Sequence, residues 1–595
     1  MTQPASNDFA ISIATKNGSG SAAANTILYK SIFKMGIPCS SKNIFPSNIQ
    51  GLPTWYQIRV SAQGYLGRKD DVDLIVAFNE DTFAKDVKSA RSGGLILFDE
   101  SAPMPPGIAK NGKQQWIGIP ATQLVRDHIT APQLREKQRN LVYVGALARL
   151  LGMPVEVLRQ VLKDSFGNKP EVIESNLLCI KLGYEHIESH KIEQQIARLE
   201  AIEGGAAGRI MTDGNTACAL GAIFGGVTVL AWYPITPSTS LAEELMARAP
   251  KFRTDPKGKS RIAVIQAEDE LAAGNMVLGA GFAGARAMTA TAGPGLSLMQ
   301  EAIGLGYFAE IPGVFMLVQR GGPATGQPTR TQQADIKLMH HGSHGDTKHI
   351  MLIPHDNATA FEMAWRAFDL AERFQTPVFV ASDLDIGMNT NNSAPFVYPE
   401  REIDRGKLLD EAQLKALGGK YRRYADVDGD GIPQRTIPGN TAPGAAYFCR
   451  GSGHDDAARY SEDHEVYKAT LDRLLKKYNT ARKHVPKPML MRDSGAQEGL
   501  ITYGSTYEPA REAVERLDKQ GRKLDHLLLR ALPLGAETEA FIARHDVVYL
   551  AEQNRDGQMA DIMRAEYPRY AARIRSVLVY DGLPPTAGEL VRQMQ

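Results

Sequence analysis

Short apolar runs alternate with amphipathic helical patterns along the middle of the chain, and this alternation limits the folds available to it. The runs lie at 227–232, 262–266, 286–291, 313–318, 350–353 and 378–381. The pattern predicts a largely parallel sheet covered by helices on both faces. Ligands of such sheets bind beyond the carboxyl ends of the strands, so the loops after these runs are the expected place for a site.

The length of the chain predicts several domains. Its 595 residues exceed the ~250 to 300 that one hydrophobic core can serve. The α/β alternation predicts a first domain at 1–203 and a second at 204–394. A polar connecting segment at 395–495 then leads to a third, smaller α/β domain at 496–595. The predicted fold class is multidomain α/β.

Composition excludes several classes of partner. The formal net charge is +1, which gives no broad attraction to nucleic acid or to an anionic membrane. No apolar stretch approaches the ~20 residues that a membrane span needs, and the N-terminus lacks a signal-peptide pattern, so a cytoplasmic location is expected. Any iron–sulfur cluster is expected on another chain, because the four cysteines are widely separated: Cys39, Cys179, Cys218 and Cys449.

The loop 233–240 reads YPITPSTS and follows an apolar run. Pro234 and Pro237 restrict the backbone to extended and turn conformations before a helix begins. The Thr236 hydroxyl is therefore expected at the carboxyl end of a strand, beside a helix N-terminus that favours an anionic ligand. Taken alone, the loop is better explained as a stiff connecting turn, since such residues mark turns generally.

This loop resembles the signature loop of the 2-oxoacid:ferredoxin oxidoreductases. Three further stretches resemble the same family in the same order: QAE at 266–268, TATAGPG at 289–295 and VQRGGPATG at 318–326. The first domain resembles the gamma portion of the family, and the last domain resembles its transketolase-type C-terminal domain. The resemblance covers essentially the whole chain and implies a fused gamma–alpha subunit.

The resemblance implies that the second domain forms the pyrimidine side of a thiamine diphosphate site. Glu268 is then the carboxylate that hydrogen-bonds the aminopyrimidine and exchanges a proton with it, which favours a sheltered position. Pro234, Ile235 and Thr291 are the other expected cofactor contacts. Without the resemblance, the acidic cluster 268–270 would be assigned to compensation of a helix dipole, and its last two residues keep that assignment.

The resemblance also assigns residues to the substrate. Thr236 contacts it, and Arg320 suits its carboxylate, because a fixed guanidinium forms paired, charge-assisted hydrogen bonds. Thr329 and Arg330 are expected at the far end of the substrate. His344 is expected to face the site; the spacing of its histidine cluster does not establish a metal site, and no metal is assigned to this chain.

The stretch DVDGDG at 426–431 resembles part of a calcium-binding motif and part of a diphosphate-binding motif, but the remaining residues of both motifs are missing. A calcium loop needs a glutamate where this chain has Ile437. The diphosphate signature of thiamine enzymes needs paired asparagines further along, which are absent. The resemblance therefore implies that Mg²⁺, the diphosphate contacts and a [4Fe–4S] cluster belong to a beta subunit.

The loop with Gly18 and Gly20 departs from the family's glycine-rich sequence, so no ligand is assigned to it.

The activity that the resemblance implies is oxidative decarboxylation of a 2-oxoacid with coenzyme A and ferredoxin, in a dimer of heterodimers. The gamma–alpha fusion and the stretch 320–329 are most like the 2-oxoglutarate branch, which predicts succinyl-CoA and carbon dioxide as products. In reverse, the site would fix carbon dioxide, as in a reductive tricarboxylic acid cycle. Pyruvate or a branched-chain substrate, a transketolase-like transferase and a structural subunit without its own chemistry are the alternatives.

Overall fold

The computed structural model describes residues 5–47, 51–108, 110 and 112–595, so the predicted start of the first domain lies outside the described residues. Within them the larger sheets have eight, seven and five strands, and helices pack against each sheet. This architecture confirms the predicted multidomain α/β class. None of the described helices has the length and apolar character of a membrane span.

The first domain is built on the eight-stranded mixed sheet. In spatial order its strands are Gln115–Ile119, Ala90–Asp99, Val72–Ala77, Asp8–Lys16, Pro53–Ser61, Cys39–Ile44, Asn391–Ser393 and Ile210–Thr212. Its helices are Ser21–Lys34, Phe83–Ser89, Ala121–His128, Pro132–Leu150, Val155–Phe166 and Pro170–Ser189. A separate parallel pair joins Ala5–Ser6 to Ala197–Arg198.

Two strands of the first sheet come from the segment predicted as the second domain. Ile210–Thr212 pairs antiparallel with Asn391–Ser393, and Asn391 also pairs with Ser40. The first sheet therefore extends across the predicted boundary at 203/204. Strands of three residues carry too little hydrophobic periodicity to be assigned to a sheet from sequence.

The second domain contains the seven-stranded sheet. In spatial order its strands are Ala263–Gln266, Val229–Trp232, Ala287–Thr291, Gly313–Gln319, Pro377–Asp383, Ile350–Leu352 and Ala531–Leu532, and only the last pairs antiparallel. Its helices are Gly214–Phe224, Thr239–Phe252, Glu270–Phe282, Gly293–Leu298, Gln300–Phe308, Ile336–His340, Asn357–Phe374 and Leu384–Met388. The central strand Gly313–Gln319 is buried along its whole length, as expected for a parallel strand with helices on both faces.

The third domain contains the five-stranded sheet, and its first strand comes from the predicted connecting segment. In spatial order the strands are Met489–Arg492, Asp525–Leu529, Glu498–Tyr503, Val547–Glu552 and Ile574–Leu578. The helices are Tyr507–Lys519, Ala536–Arg544, Gln558–Glu566 and Ala587–Met594, with 3₁₀ turns at Gly504–Thr506 and Pro568–Arg573. Because Ala531–Leu532 extends the second sheet, the second and third domains share one continuous hydrophobic core.

The connecting segment is attached to the second domain by buried charges. It contains the helices Glu411–Ala416 and His464–Ala481. From the second helix, Arg473 and Lys477 donate to the fully buried carboxylate of Glu310 over 2.5 and 2.7 Å. Burial opposes ionisation of Glu310, but the two cations outweigh it and hold its pKa at about 2. The carboxylate is thus ionised and paired on both oxygens.

We expect Glu310→Gln to lower the thermal unfolding midpoint by roughly 6–20 °C, because it leaves two buried cations short of a counter-charge at a cost of roughly 3–5 kcal/mol. Glu411→Gln is the matched control, since Glu411 forms an exposed pair with Lys415 that contributes little. Differential scanning calorimetry measures both midpoints. Equal midpoints for the two variants would show that the buried pairs do not stabilise the attachment.

Candidate functional site

Arg320 connects two loops at the carboxyl edge of the second sheet. It follows the strand Gly313–Gln319, and its Nη1 donates to the Thr236 carbonyl over 2.6 Å. Its Nη2 donates to the Thr325 carbonyl over 3.2 Å, while its buried Nε has no hydrogen-bond partner among the described residues. Burial lowers the pKa of Arg320. The structure therefore brings the predicted residues Thr236 and Arg320 into contact and leaves three of the five N–H donors of the guanidinium without a partner among the described residues.

An asparagine that sequence reasoning missed fixes the loop of Thr236. Asn215 donates from Nδ2 to the Pro237 carbonyl and to Ser240 Oγ, both over 2.8 Å. It lies in the first turn of the helix Gly214–Phe224, where a buried amide in an otherwise apolar helix is the available sequence signal. The Thr236 hydroxyl itself makes no hydrogen bond within the described part of the chain. It can therefore turn toward a ligand.

The acidic cluster 268–270 divides into three different environments. Glu268 is exposed, contrary to the sheltered position expected for it. Asp269 caps the next helix, its Oδ1 accepting from the Ala272 N–H over 2.7 Å. Glu270 opens that helix and is buried, with 8% of its surface exposed. Three consecutive acidic residues cannot be ranked by burial from sequence, because the rotation of the helix against its sheet decides which one faces inward.

Glu270 and Thr291 pack against the turn that opens the helix Gly293–Leu298. A Cβ atom at Gly295 would lie 2.7 Å from Glu270 Cγ and 2.1 Å from Thr291 Oγ1. Glycine at this position therefore permits the close approach of both side chains. The other two predicted cofactor contacts lie on the neighbouring loop, where Pro234 is exposed and Ile235 is half-buried.

Asp335 is a second carboxylate at this edge that sequence reasoning missed. The residue is half-buried, and its Oδ2 is enclosed without a hydrogen-bond partner among the described residues. A Cβ atom at Gly293 would lie 2.7 Å from that oxygen. Burial raises the pKa of Asp335 to about 6, against the opposing effect of the Arg320 charge. The sequence does not predict Asp335 as a site residue, because only the fold brings the loop 320–335 beside the turn at Gly293.

Thr329 and Arg330 lie where the second domain meets the first. Thr329 is buried, and Arg330 donates from Nη1 to the Phe45 carbonyl over 2.8 Å and to Thr329 Oγ1 over 3.2 Å. His344 is exposed, with Ser343 Oγ 3.4 Å from its Nδ1. Within the described residues, no hydrogen bond links His344 to Thr236 or Arg320. The structure therefore does not join His344 to the other predicted residues.

The aspartates of the acidic stretch 426–431 form ion pairs with two lysines. The carboxylates of Asp426, Asp428 and Asp430 converge closely enough to hold a cation. Lys407 Nζ bridges Asp428 and Asp430 at 2.5 and 2.8 Å, and Lys476 pairs with Asp426. The lysine ammonium groups supply the positive charge here, so the stretch is a charged turn of the connecting segment.

Comparison with known proteins places the chain in a family. The alpha subunit of 2-oxoacid:ferredoxin oxidoreductase 2 from Aeropyrum pernix is 30% identical over 94% of this chain and 93% of its own length. The chain belongs to the 2-oxoacid:ferredoxin oxidoreductases. Residues 220–436 match the family described as pyruvate flavodoxin/ferredoxin oxidoreductase, thiamine diphosphate-binding, and residues 10–186 match pyruvate ferredoxin/flavodoxin oxidoreductase.

Two further relatives are informative. The 2-oxoglutarate oxidoreductase subunit KorA of Mycobacterium tuberculosis is 29% identical over 90% of this chain and 82% of its own length. A solved structure of 2-oxoglutarate:ferredoxin oxidoreductase from Magnetococcus marinus, with 2-oxoglutarate, coenzyme A and succinyl-CoA bound, is 29% identical with a TM-score of 0.88 over 99% of both chains. This oxidoreductase subunit therefore shares the fold of the Magnetococcus marinus structure along its whole length.

In this oxidoreductase subunit the third domain docks on the site edge through buried polar groups. Gln333 Nε2 donates to Asp383 Oδ2 over 3.2 Å, and its Oε1 accepts from the Gln553 N–H over 3.3 Å. Asn554 Nδ2 donates to the Gln333 carbonyl over 3.0 Å. Ser505 also donates to Asp383. The loop 552–558 thus packs against the second domain.

We expect Gln333→Ala to speed amide hydrogen exchange of the segment 552–560 roughly 5- to 100-fold, because unpaired buried polar groups cost roughly 1–3 kcal/mol. Gln332→Ala is the matched control, since the Gln332 side chain makes one hydrogen bond among the described residues, which it accepts from the exposed Gly322 N–H. Exchange followed by mass spectrometry compares the two variants with the parent chain. Unchanged exchange in Gln333→Ala would show that this glutamine does not hold the domains together.

Proposed function

We propose that this chain is the pyrimidine-side subunit of a thiamine diphosphate-dependent 2-oxoglutarate:ferredoxin oxidoreductase. The observation that carries the proposal is the contact of Arg320 with the Thr236 loop, beside a sheltered glutamate, in a thiamine diphosphate-binding domain. In the overall reaction, 2-oxoglutarate, coenzyme A and two oxidised ferredoxins give succinyl-CoA, carbon dioxide, a proton and two reduced ferredoxins. The reverse reaction is a reductive carboxylation of succinyl-CoA.

The residues at the carboxyl edge fit the pyrimidine half of the cofactor. Glycine at position 295 lets Glu270 and Thr291 pack closely, because a Cβ atom there would clash with both, and the Glu270 carboxylate is sheltered at this edge. When bound, thiamine diphosphate supplies a nucleophilic carbon and an electron sink for decarboxylation. Glu270 is suited to hydrogen-bond a ring nitrogen and exchange a proton with it, because its carboxylate is shielded from solvent. Burial favours Glu270 over Glu268 for this role.

Arg320 and Thr236 are suited to hold the carboxylate next to the keto group. The free Nε–H of Arg320 and the Thr236 hydroxyl both lack hydrogen bonds within the described residues. A charge-assisted bond from the guanidinium fixes the carboxylate in one orientation, which positions the keto carbon for attack. The carbonyls of Thr236 and Thr325 hold the guanidinium in place during this step.

An exposed apolar surface next to Glu270 fits a partner subunit. The edge strand Ala263–Gln266 is exposed along its whole length. Large side chains that are 36–46% exposed lie on this strand and the neighbouring helices: Val264, Ile265, Leu271, Met276 and Leu298. Such surfaces on soluble proteins mark interaction sites. We assign this surface to a beta subunit that carries the diphosphate contacts, Mg²⁺ and the [4Fe–4S] cluster, in a dimer of heterodimers.

The choice of 2-oxoglutarate rests on relatives and on Arg330. The proteins named above from Mycobacterium tuberculosis and Magnetococcus marinus are named for 2-oxoglutarate. The second carboxylate of this substrate needs a cation, and Arg330 lies ten residues beyond Arg320 in the same loop. The side-chain hydrogen bonds of Arg330 to described residues all involve Nη1, so the rest of the guanidinium is available. A pyruvate-specific site would not require this charge, because pyruvate lacks the second carboxylate.

We expect Glu270→Gln to lower kcat of the complex reconstituted with the beta subunit by roughly 10²–10⁴-fold, because the amide cannot exchange a proton with the ring. Glu268→Gln is the matched control and should retain activity. Succinyl-CoA formation is measured for both, together with assembly by gel filtration. Loss of activity in Glu268→Gln alone would return the role to Glu268, and full activity in both would favour a structural subunit.

We expect Arg330→Met to raise KM for 2-oxoglutarate roughly 10- to 100-fold, because one charge-assisted bond to the far carboxylate is lost. Arg330→Lys keeps the charge and should recover most of the affinity. Ferredoxin reduction with 2-oxoglutarate, pyruvate and 2-oxoisovalerate gives the substrate preference of each complex. Turnover of pyruvate alone by the parent enzyme would refute the 2-oxoglutarate assignment.

A further inference from the structure

Asp335 and Arg320 face each other across the site edge without forming an ion pair. Asp335 Oδ2 and Arg320 Nε are both buried, and neither has a hydrogen-bond partner among the described residues. Burial raises the pKa of Asp335 and lowers that of Arg320, and the charge of each group opposes this effect at the other. The two side chains form no ion pair with each other, so the fold holds the opposite charges apart.

The backbone around Asp335 is fixed from two sides. Its own N–H donates to Gln319 Oε1 over 3.1 Å, within the second domain. From the third domain, Gln558 donates to the Ala334 carbonyl over 2.7 Å and accepts from the Lys337 N–H over 3.0 Å. These bonds hold the residues before and after Asp335. With the backbone held in this way, the carboxylate rests against Gly293, and its Oδ2 makes no hydrogen bond to Arg320.

We propose that Asp335 is a positioning residue that acts through Arg320 and sets how tightly Arg320 holds the substrate carboxylate. This rests on the proposed function, in which Arg320 binds that carboxylate. Ionised Asp335 repels a carboxylate bound to Arg320 and weakens its hold. During decarboxylation the negative charge leaves this carboxylate as carbon dioxide forms, so a tight hold stabilises the bound substrate more than the transition state. A weakened hold raises both KM and kcat.

The proposal predicts a pH dependence. Burial raises the pKa of Asp335 to about 6, so it is neutral below that pH and ionised above it. The other charged groups on the elements packed around it are Glu270, Glu552 and the surface pair Lys337–Asp561. Glu552 accepts backbone N–H bonds at the next helix, and the surface pair is internally neutral. KM for the 2-oxoacid should therefore rise as pH increases through about 6.

We expect Asp335→Asn in the reconstituted complex to lower KM and kcat together, each roughly tenfold at a pH of about 8, and to remove the rise of KM near pH 6. A merely structural role would not lower KM or flatten its pH dependence. Asp561→Asn is the matched control on the neighbouring helix and should keep the parent values. The 2-oxoacid is varied at saturating coenzyme A.

Gln558→Ala, a substitution in the third domain, also tests whether Asp335 acts through Arg320. It releases the backbone on both sides of Asp335, so the carboxylate can pair with Arg320 and KM should rise roughly tenfold. In the double variant Asp335→Asn/Gln558→Ala that pairing is abolished, and KM should return to the value of Asp335→Asn alone. This non-additivity is expected only if both residues act through Arg320.

Unchanged or raised KM in Asp335→Asn, with the parent pH profile, would overturn the proposal. If Asp335→Asn does not assemble, as judged by gel filtration and the unfolding midpoint, the KM of Gln558→Ala is the deciding measurement. An unchanged KM in Gln558→Ala would also overturn the proposal. A parent complex without 2-oxoacid turnover would refute the proposed function instead. The two failures are therefore distinguishable.

Discussion

The parallel pairing of the second sheet is the constraint on which the candidate site depends. Trp232 pairs with Gln266, Thr291 with Leu317 and Gln319 with Asp383, so these strands end at nearly the same level. The loops that follow them therefore meet at one edge, where Arg320 contacts the Thr236 carbonyl. Residues far apart in sequence become neighbours there because backbone hydrogen bonds fix the strand order.

Buried charges serve two different purposes in this chain. Glu310 and Glu372 are fully paired with arginine or lysine side chains and attach the connecting segment. Arg320 and the half-buried Asp335 each have one enclosed atom without a hydrogen-bond partner among the described residues. Desolvating a charge without a partner is costly, so such groups persist only where the surrounding fold holds them. The contrast separates the charges that stabilise the fold from those that are suited to meet a ligand.

The domains of this oxidoreductase subunit are tied together by exchanged strands. Asn391–Ser393 joins the first sheet, and Ala531–Leu532 joins the second. The third domain then fixes Gln333 and the backbone around Asp335 through its loop at 552–558. Its contribution to the site is therefore indirect: it holds a loop of the second domain in the arrangement that the site requires.

The sequence by itself determined the family, the α/β class and the loops that carry Thr236 and Arg320, because ordered motifs and strand–helix alternation are local properties of the chain. Only the tertiary structure decided which glutamate of 268–270 is sheltered, that Asn215 fixes the Thr236 loop, and that Asp335 faces Arg320. It also decided which sheets the three-residue strands join. These features depend on helix rotation and on contacts between distant segments, which a linear pattern does not encode.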